Sequence, residues 1–155
     1  MNARLLTEQL DAVLEGSVHW ITALSNASAV LYEAFDRVNW TGFYLLEDDR
    51  LILGPFQGKT ACMLIPMGKG VCGHAAQLAE SVVVPDVHAF PGHIACDSAS
   101  RSEIVIPLRH ADGRVFGVLD IDSPQLSRFE EGDRVLLEQC ADSITARLEA
   151  LGFPF

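Results

Sequence analysis

Apolar positions along the chain change period several times, and each change marks an element. Leu6, Leu10, Val13 and Leu14 recur at helical spacing within 5–15, and Gly16 stops the run. Ser17 predicts the cap of a second helix reaching about Ala34, with Ile21, Leu24, Leu31 and Phe35 as its apolar stripe. Over 38–46 the residues turn aromatic and β-forming, which predicts a strand. Alternation places Trp40, Gly42 and Tyr44 on one face and Thr41, Phe43 and Leu45 on the other. Glu47-Asp48-Asp49-Arg50 predicts a hairpin turn, and 51–56 the returning strand, ended by Pro55. A short strand over 61–65 holding Cys62 comes next, then a turn at 66–70. A short helix over 71–78 carries Cys72 near its start, and a strand over 81–84 closes at Pro85. Residues 103–108 and 115–121 form a hairpin around His110-Ala111-Asp112-Gly113, where Asp-Gly is a strong turn signal. Ser127-Arg128-Phe129-Glu130 fits a capping box for a last helix over about 130–150, with Val135, Leu136, Cys140, Ile144 and Leu148 as its stripe.

One stretch follows neither period. Residues 86–103 hold Cys96, His88, His93 and an acid at each end, without strand alternation or a helical stripe. Loops that long are uncommon in a compact domain and are usually functional or disordered; Phe90, Ile94 and the lack of a charge run argue against disorder. The elements add up to an α+β chain with one sheet of five or six mostly antiparallel strands. The terminal helices cover one face, which leaves the other face, with the short helix and the long loop, to form a pocket. With 155 residues, 49% hydrophobic and without repeats or linkers, the chain predicts a single domain over 1–155.

Charge and targeting signals narrow the classes. A formal net charge of -10, from 11 Lys+Arg against 21 Asp+Glu, argues against a nucleic-acid partner. No run of 18 apolar residues predicts a membrane span, and the N-terminus lacks the pattern of a signal peptide. The expected location is the cytoplasm, where a disulfide is more often transient and catalytic than structural. Cys62, Cys72, Cys96 and Cys140 are widely spaced, with no Cys-x-x-Cys, so no metal site is expected.

Three acids are candidates for chemistry. Alternation in 115–122 puts Phe116, Val118, Asp120 and Asp122 on one face, with Val115, Leu119 and Ile121 on the other. Either the strand frays at a solvated polar end, or the two aspartates bind a cation or hold a proton between them. Glu103, at the mouth of the neighbouring strand, is either a solvated strand end or a third acid of that group. Three acids in one pocket would suit a substrate ammonium and a proton donor to oxygen. Trp40 and Tyr44 either pack in the core or wall a small ligand group.

Among the thiols, Cys140 reads as a core residue on a helical stripe. Cys62, Cys72 and Cys96 lie near element ends among small residues, and Cys72 sits where a helix N-terminus would favour thiolate. A nucleophilic thiol needs a second thiol to resolve its oxidised product. His93 and His88 could tune a thiol, while His74 reads as structural or exposed. The residues alone reach no further than a candidate thiol redox site.

Several blocks are more specific. Val38-Asn39-Trp40-Thr41-Gly42-Phe43-Tyr44, Leu53-Gly54-Pro55-Phe56-Gln57-Gly58, Gly70-Val71-Cys72-Gly73, Gly92-His93-Ile94-Ala95-Cys96-Asp97, Ser102-Glu103-Ile104-Val105 and Gly117-Val118-Leu119-Asp120-Ile121-Asp122-Ser123-Pro124 resemble, in the same order, the free methionine-(R)-sulfoxide reductases. That resemblance implies a GAF fold, a central antiparallel sheet with helices on both sides, and commonly a homodimer. It implies an oxidoreductase that turns free L-methionine (R)-sulfoxide into methionine, without a cofactor and with thioredoxin as electron donor. By the same resemblance Cys96 is the nucleophile, Cys62 the main resolving cysteine and Cys72 a third thiol, an alternative resolver. Glu103, Asp120 and Asp122 become the carboxylates of the site, and Trp40 and Tyr44 face the substrate methyl and sulfur. Two other readings compete: a GAF ligand-binding module without chemistry, and an interaction protein whose cysteines only switch its conformation. Consumption of thiol reductant that depends on methionine sulfoxide separates the first reading from both.

Overall fold

The computed structural model describes residues 1–94, 96 and 98–155. Helices α1 (Ala3–Gly16) and α2 (Trp20–Ala34) open the chain, followed by strands β1 (Trp40–Glu47), β2 (Arg50–Gly58) and β3 (Leu64–Pro66). Helix α3 (Gly70–Leu78), strands β4 (Val82–Val84), β5 (Ser102–Arg109) and β6 (Val115–Ser123), and helix α4 (Glu131–Ala150) complete the order. The strands make one antiparallel sheet in the order β3-β2-β1-β6-β5-β4. Helices α1, α2 and α4 bury Leu10, Leu24, Leu31, Ile144 and Leu148 against Phe43, Leu45, Leu119 and Ile121. Helix α3 covers the other face, where Val71, Cys72 and Ala75 meet Trp40, Tyr44, Val105 and Val118. Helices therefore lie on both faces, and the alternation in β1 falls as its sequence predicts.

Several boundaries differ, each for a local reason. Ser17 ends α1 instead of starting α2: its Oγ donates to Val13 O at 2.7 Å and its N–H to Leu14 O at 3.1 Å. His19 caps α2, its Nδ1 accepting the Ile21 N–H at 3.1 Å. Ile21 is 49% exposed; the buried stripe is Ala23, Leu24, Ala27, Ser28 and Leu31. Val135 likewise faces out from α4, which buries Leu137, Cys140, Ala141, Ile144 and Leu148. The cap of α4 falls at Glu130, whose N–H donates to Asp133 Oδ2 at 2.9 Å. Ser127 takes a left-handed backbone (φ 54) and its N–H donates to Pro85 O, so it cannot also cap the helix.

Two bulges override simple alternation. Strand β2 runs through Pro55 to Gly58, because the register slips where Gly54 and Pro55 face Phe43, and a bulge tolerates a residue without an N–H. In β6, Leu108 pairs with Gly117 and Arg109 with Val115, which leaves Phe116 as the extra residue. Phe116 therefore turns to the three-helix side instead of joining Val118 and Asp120. Strand β3 is shorter than predicted, and Cys62 lies just before it. In the long loop, 87–89 form one 3-10 turn capped by Asp86, whose side chain accepts the His88 N–H. Ala95 and Asp97 of the Gly92–Asp97 block lie outside the described residues.

Candidate active site

Strand register sets the site. One row across the sheet is Gly58, Trp40, Asp122, Glu103 and Val84; the next is Phe56, Gly42, Asp120, Val105 and Val82. These rows put three acids beside an aromatic wall on the face covered by α3. Trp40 stacks on Phe56 at 5.2 Å between ring centroids and on Tyr44 at 5.9 Å. Gly42 makes the stack possible, since a Cβ there would lie 2.3 Å from Phe56 Cβ and 2.8 Å from Trp40 Cη2.

The polar tips of the same aromatics hold the thiol segment. Tyr44 Oη donates to Cys62 O at 2.9 Å, and Trp40 Nε1 donates to Lys59 O at 3.1 Å. These bonds fix the 59–62 segment against the aromatic wall, and Met63 O then accepts the Leu53 N–H of β2 at 3.1 Å. Cys62 is joined to Cys96 of the long loop by a disulfide, with Cα atoms 5.2 Å apart. The cleft encloses about 520 Å³, part of it open solvent, and is lined by Trp40, Tyr44, Cys72, Cys96, Glu103, Asp120 and Asp122. His93, Ile94 and Ser100 complete its loop side. Ser100 accepts a hydrogen bond from Asn39 Nδ2 at 3.2 Å. Sequence reasoning gave neither Ser100 nor Ile94 a site role; Ser100 had only its place in an aperiodic loop to mark it, and Ile94 that place and its motif block. His88 is exposed on the rim, its ring 6.1 Å from that of His93. His74 packs edge-on against Phe90, a structural contact.

Burial decides the protonation pattern. Glu103 and Asp120 are only 7% and 5% exposed, so a frayed, solvated end is excluded for both. Asp122 is half-buried beside them. Burial, then the Asp120 and Asp122 charges, pushes the Glu103 carboxyl well above the usual range. Burial also raises Asp120, but hydrogen bonding with Glu103, Cys72 and Asp122 pulls it back, so the cluster favours holding a proton between these acids. Asp120 Oδ1 has no hydrogen-bond partner among the described residues and is free for a donor from a ligand.

Cys72 differs from the sequence expectation. It lies at the start of α3, but burial and the charges of Asp120, Glu103 and Asp122 push its thiol up, overriding the helix N-terminus. It stays a thiol, 3.9 Å from Glu103 Oε2. Cys72, Glu103 and Asp120 each offer a ligand atom, all within 4.8 Å of one another, and form the group of three such donors close enough to hold a metal ion among the described residues. Burial and His88 lower His93, which stays neutral at neutral pH. Cys140 is 1% exposed in the three-helix core, and burial pushes its thiol up to about 11.

The acid cluster predicts a stability cost. Glu103 holds its proton more tightly folded than unfolded, so its contribution is fully present below about 4.5 and is lost as pH rises towards its raised value. Glu103→Gln keeps the shape and removes that loss. It is expected to stabilise the fold at pH 8 by on the order of 1–2 kcal/mol while impairing turnover. Thermal melts of both proteins from pH 5 to 9 test this; parallel curves would mean that Glu103 ionises freely.

Comparison with known proteins agrees with the geometry. The model of the GAF domain family matches residues 8–149. A free methionine-R-sulfoxide reductase of Escherichia coli K12 is 49% identical, the match covering 93% of this chain and 84% of that protein. The chain belongs to the GAF-fold family of free methionine-(R)-sulfoxide reductases. It is an oxidoreductase. A free methionine-R-sulfoxide reductase of Saccharomyces cerevisiae is 44% identical over 93% of this chain and 86% of its own length. The solved structure of a free methionine-R-sulfoxide reductase from Neisseria meningitidis in complex with its substrate is 47% identical and superposes with a TM-score of 0.90, covering 97% of this chain and 92% of that one. The family fits the six-stranded antiparallel sheet flanked by four helices. No described helix is long and apolar enough to cross a membrane.

Proposed function

We propose that this protein reduces free L-methionine (R)-sulfoxide to L-methionine and is recycled by thioredoxin, without an organic cofactor. The observation that carries the reading is a disulfide from Cys62 to Cys96, which lines a cleft shared with the buried Glu103 and Asp120 and with Asp122. Reduced Cys96 attacks the sulfoxide sulfur as thiolate. Glu103 is suited to give a proton to the substrate oxygen, since burial and the neighbouring carboxylates favour its protonated form. The oxygen passes to Cys96 as a sulfenic acid and methionine leaves. Cys62 then attacks the sulfenic sulfur; water departs and the Cys62–Cys96 disulfide forms. The open Oδ1 of Asp120, with Asp122, suits the substrate ammonium, while Trp40 and Tyr44 suit its methyl and sulfur.

Both free epimers, assayed with thioredoxin and with mass mapping of the resulting disulfide, test this. The (R) epimer should turn over at least about 100-fold faster than the (S), because swapping methyl and oxygen removes the oxygen from the acid and leaves buried polar groups unpaired. The mapped bridge should be Cys62–Cys96. Equal rates would overturn the cleft assignment.

A further inference from the structure

The acids of this chain are distributed unevenly. Of 21 Asp and Glu, none falls within 51–79, the stretch that holds Cys62 and the chain's two lysines, Lys59 and Lys69. Both lysines are exposed. Between them, next to the disulfide, Met63 is 80% exposed and Leu64 is 44% exposed. This segment leads into β3, an outermost strand of the sheet, which leaves one side of its backbone unpaired by the sheet. The turn after β3 brings Lys69 back, its N–H donating to Pro66 O at 3.1 Å. Along the chain, an exposed apolar pair with a lysine on either side and an open strand edge thus adjoins Cys62, one sulfur of the redox bond; the Asp48-Asp49 turn meets the end of β3, where the Met67 N–H donates to Asp49 O at 3.2 Å.

We propose that this edge, Met63 and Leu64 flanked by Lys59 and Lys69, is the docking surface for the dithiol protein that reduces the disulfide, and that the electrons enter at Cys62. The proposal rests on the reductase reading above. The partner it fits has an apolar active-site rim bordered by acids. A second copy of this chain fits less well, because a two-fold contact here would bring both pairs of lysines together. The reaction balances as thiol–disulfide exchange: the partner's thiolate bonds to Cys62 Sγ, the Cys62–Cys96 bond breaks and Cys96 leaves as thiolate. The partner's second thiol then displaces Cys62, so the partner ends as a disulfide and this protein as the dithiol.

Three proteins, wild type, Lys59→Glu/Lys69→Glu and Met63→Glu, should be assayed with thioredoxin and, separately, with dithiothreitol. The expected result is a KM for thioredoxin raised about tenfold or more in both variants, with dithiothreitol-supported turnover unchanged. Thioredoxin lacking its resolving cysteine should trap a mixed disulfide that maps to Cys62. An unchanged KM for thioredoxin, a trap on Cys96, or dissociation of a wild-type oligomer by Met63→Glu would overturn the proposal. Wild type inactive with dithiothreitol as well would instead sink the reductase reading itself.

Discussion

Cys96→Ser is expected to lose more than about a thousandfold in turnover with thioredoxin, because a serine hydroxyl at neutral pH is a far weaker nucleophile than a thiolate and cannot hold the oxygen as a sulfenic acid. The fold should survive. The two hydrophobic layers involve α1, α2, α4 and α3 against the sheet, and Cys96 is only half-buried in a loop. Melting curves of reduced wild type and variant should therefore coincide, which separates lost chemistry from lost structure. A methionine-release assay with the (R) epimer, paired with a sulfenic-acid trapping reagent, reads both steps. Retained turnover would move the nucleophile to Cys72, the one other free thiol lining the cleft among the described residues.

Cys62→Ser should separate the half-reactions. One methionine per protein should appear at the wild-type rate, since Cys62 acts only after the oxygen has been transferred. Continued cycling with thioredoxin should fall by on the order of tenfold or more, because the other thiol within the cleft, Cys72, is held protonated by burial and by Asp120, Glu103 and Asp122, and the thiolate is the attacking form. Single-turnover and steady-state rates measured on one preparation decide this. Normal cycling would make Cys72 the resolver and would imply that the acids around it rearrange once methionine leaves.

The tether explains why these effects should be specific. Tyr44 Oη and Trp40 Nε1 donate to the carbonyls of Cys62 and Lys59, so the aromatic wall is bonded directly to the segment that carries Cys62. Their apolar face was readable from alternation in β1. Their polar tips were not, because a hydrogen bond to a segment some twenty residues away leaves no periodic trace.

Much was readable in the chain alone. The order of helices and strands, the two faces of β1, the core role of Cys140 and the presence of a thiol-bearing aperiodic loop all follow from local period and turn chemistry. The motif blocks pointed to the family that the comparisons show. Errors fell where a neighbour outweighed the local signal. Bulges opposite Phe43 and at Phe116 re-aimed side chains, Ser17 bonded back into α1, and Pro55 was absorbed in a strand. A proton held among the acids was one of two readings the sequence left open, and burial decides between them. Cys72 at a helix start looked primed for thiolate, yet it is buried against carboxylates contributed by β5 and β6. Glu103 and Asp120 lie on different strands, and only register brings them close enough to share a proton. Periodicity depends on nearest neighbours along the chain and is therefore written in the sequence. Desolvation and like-charge repulsion depend on through-space distance and on the exclusion of water, and these exist only once the sheet has closed under α3.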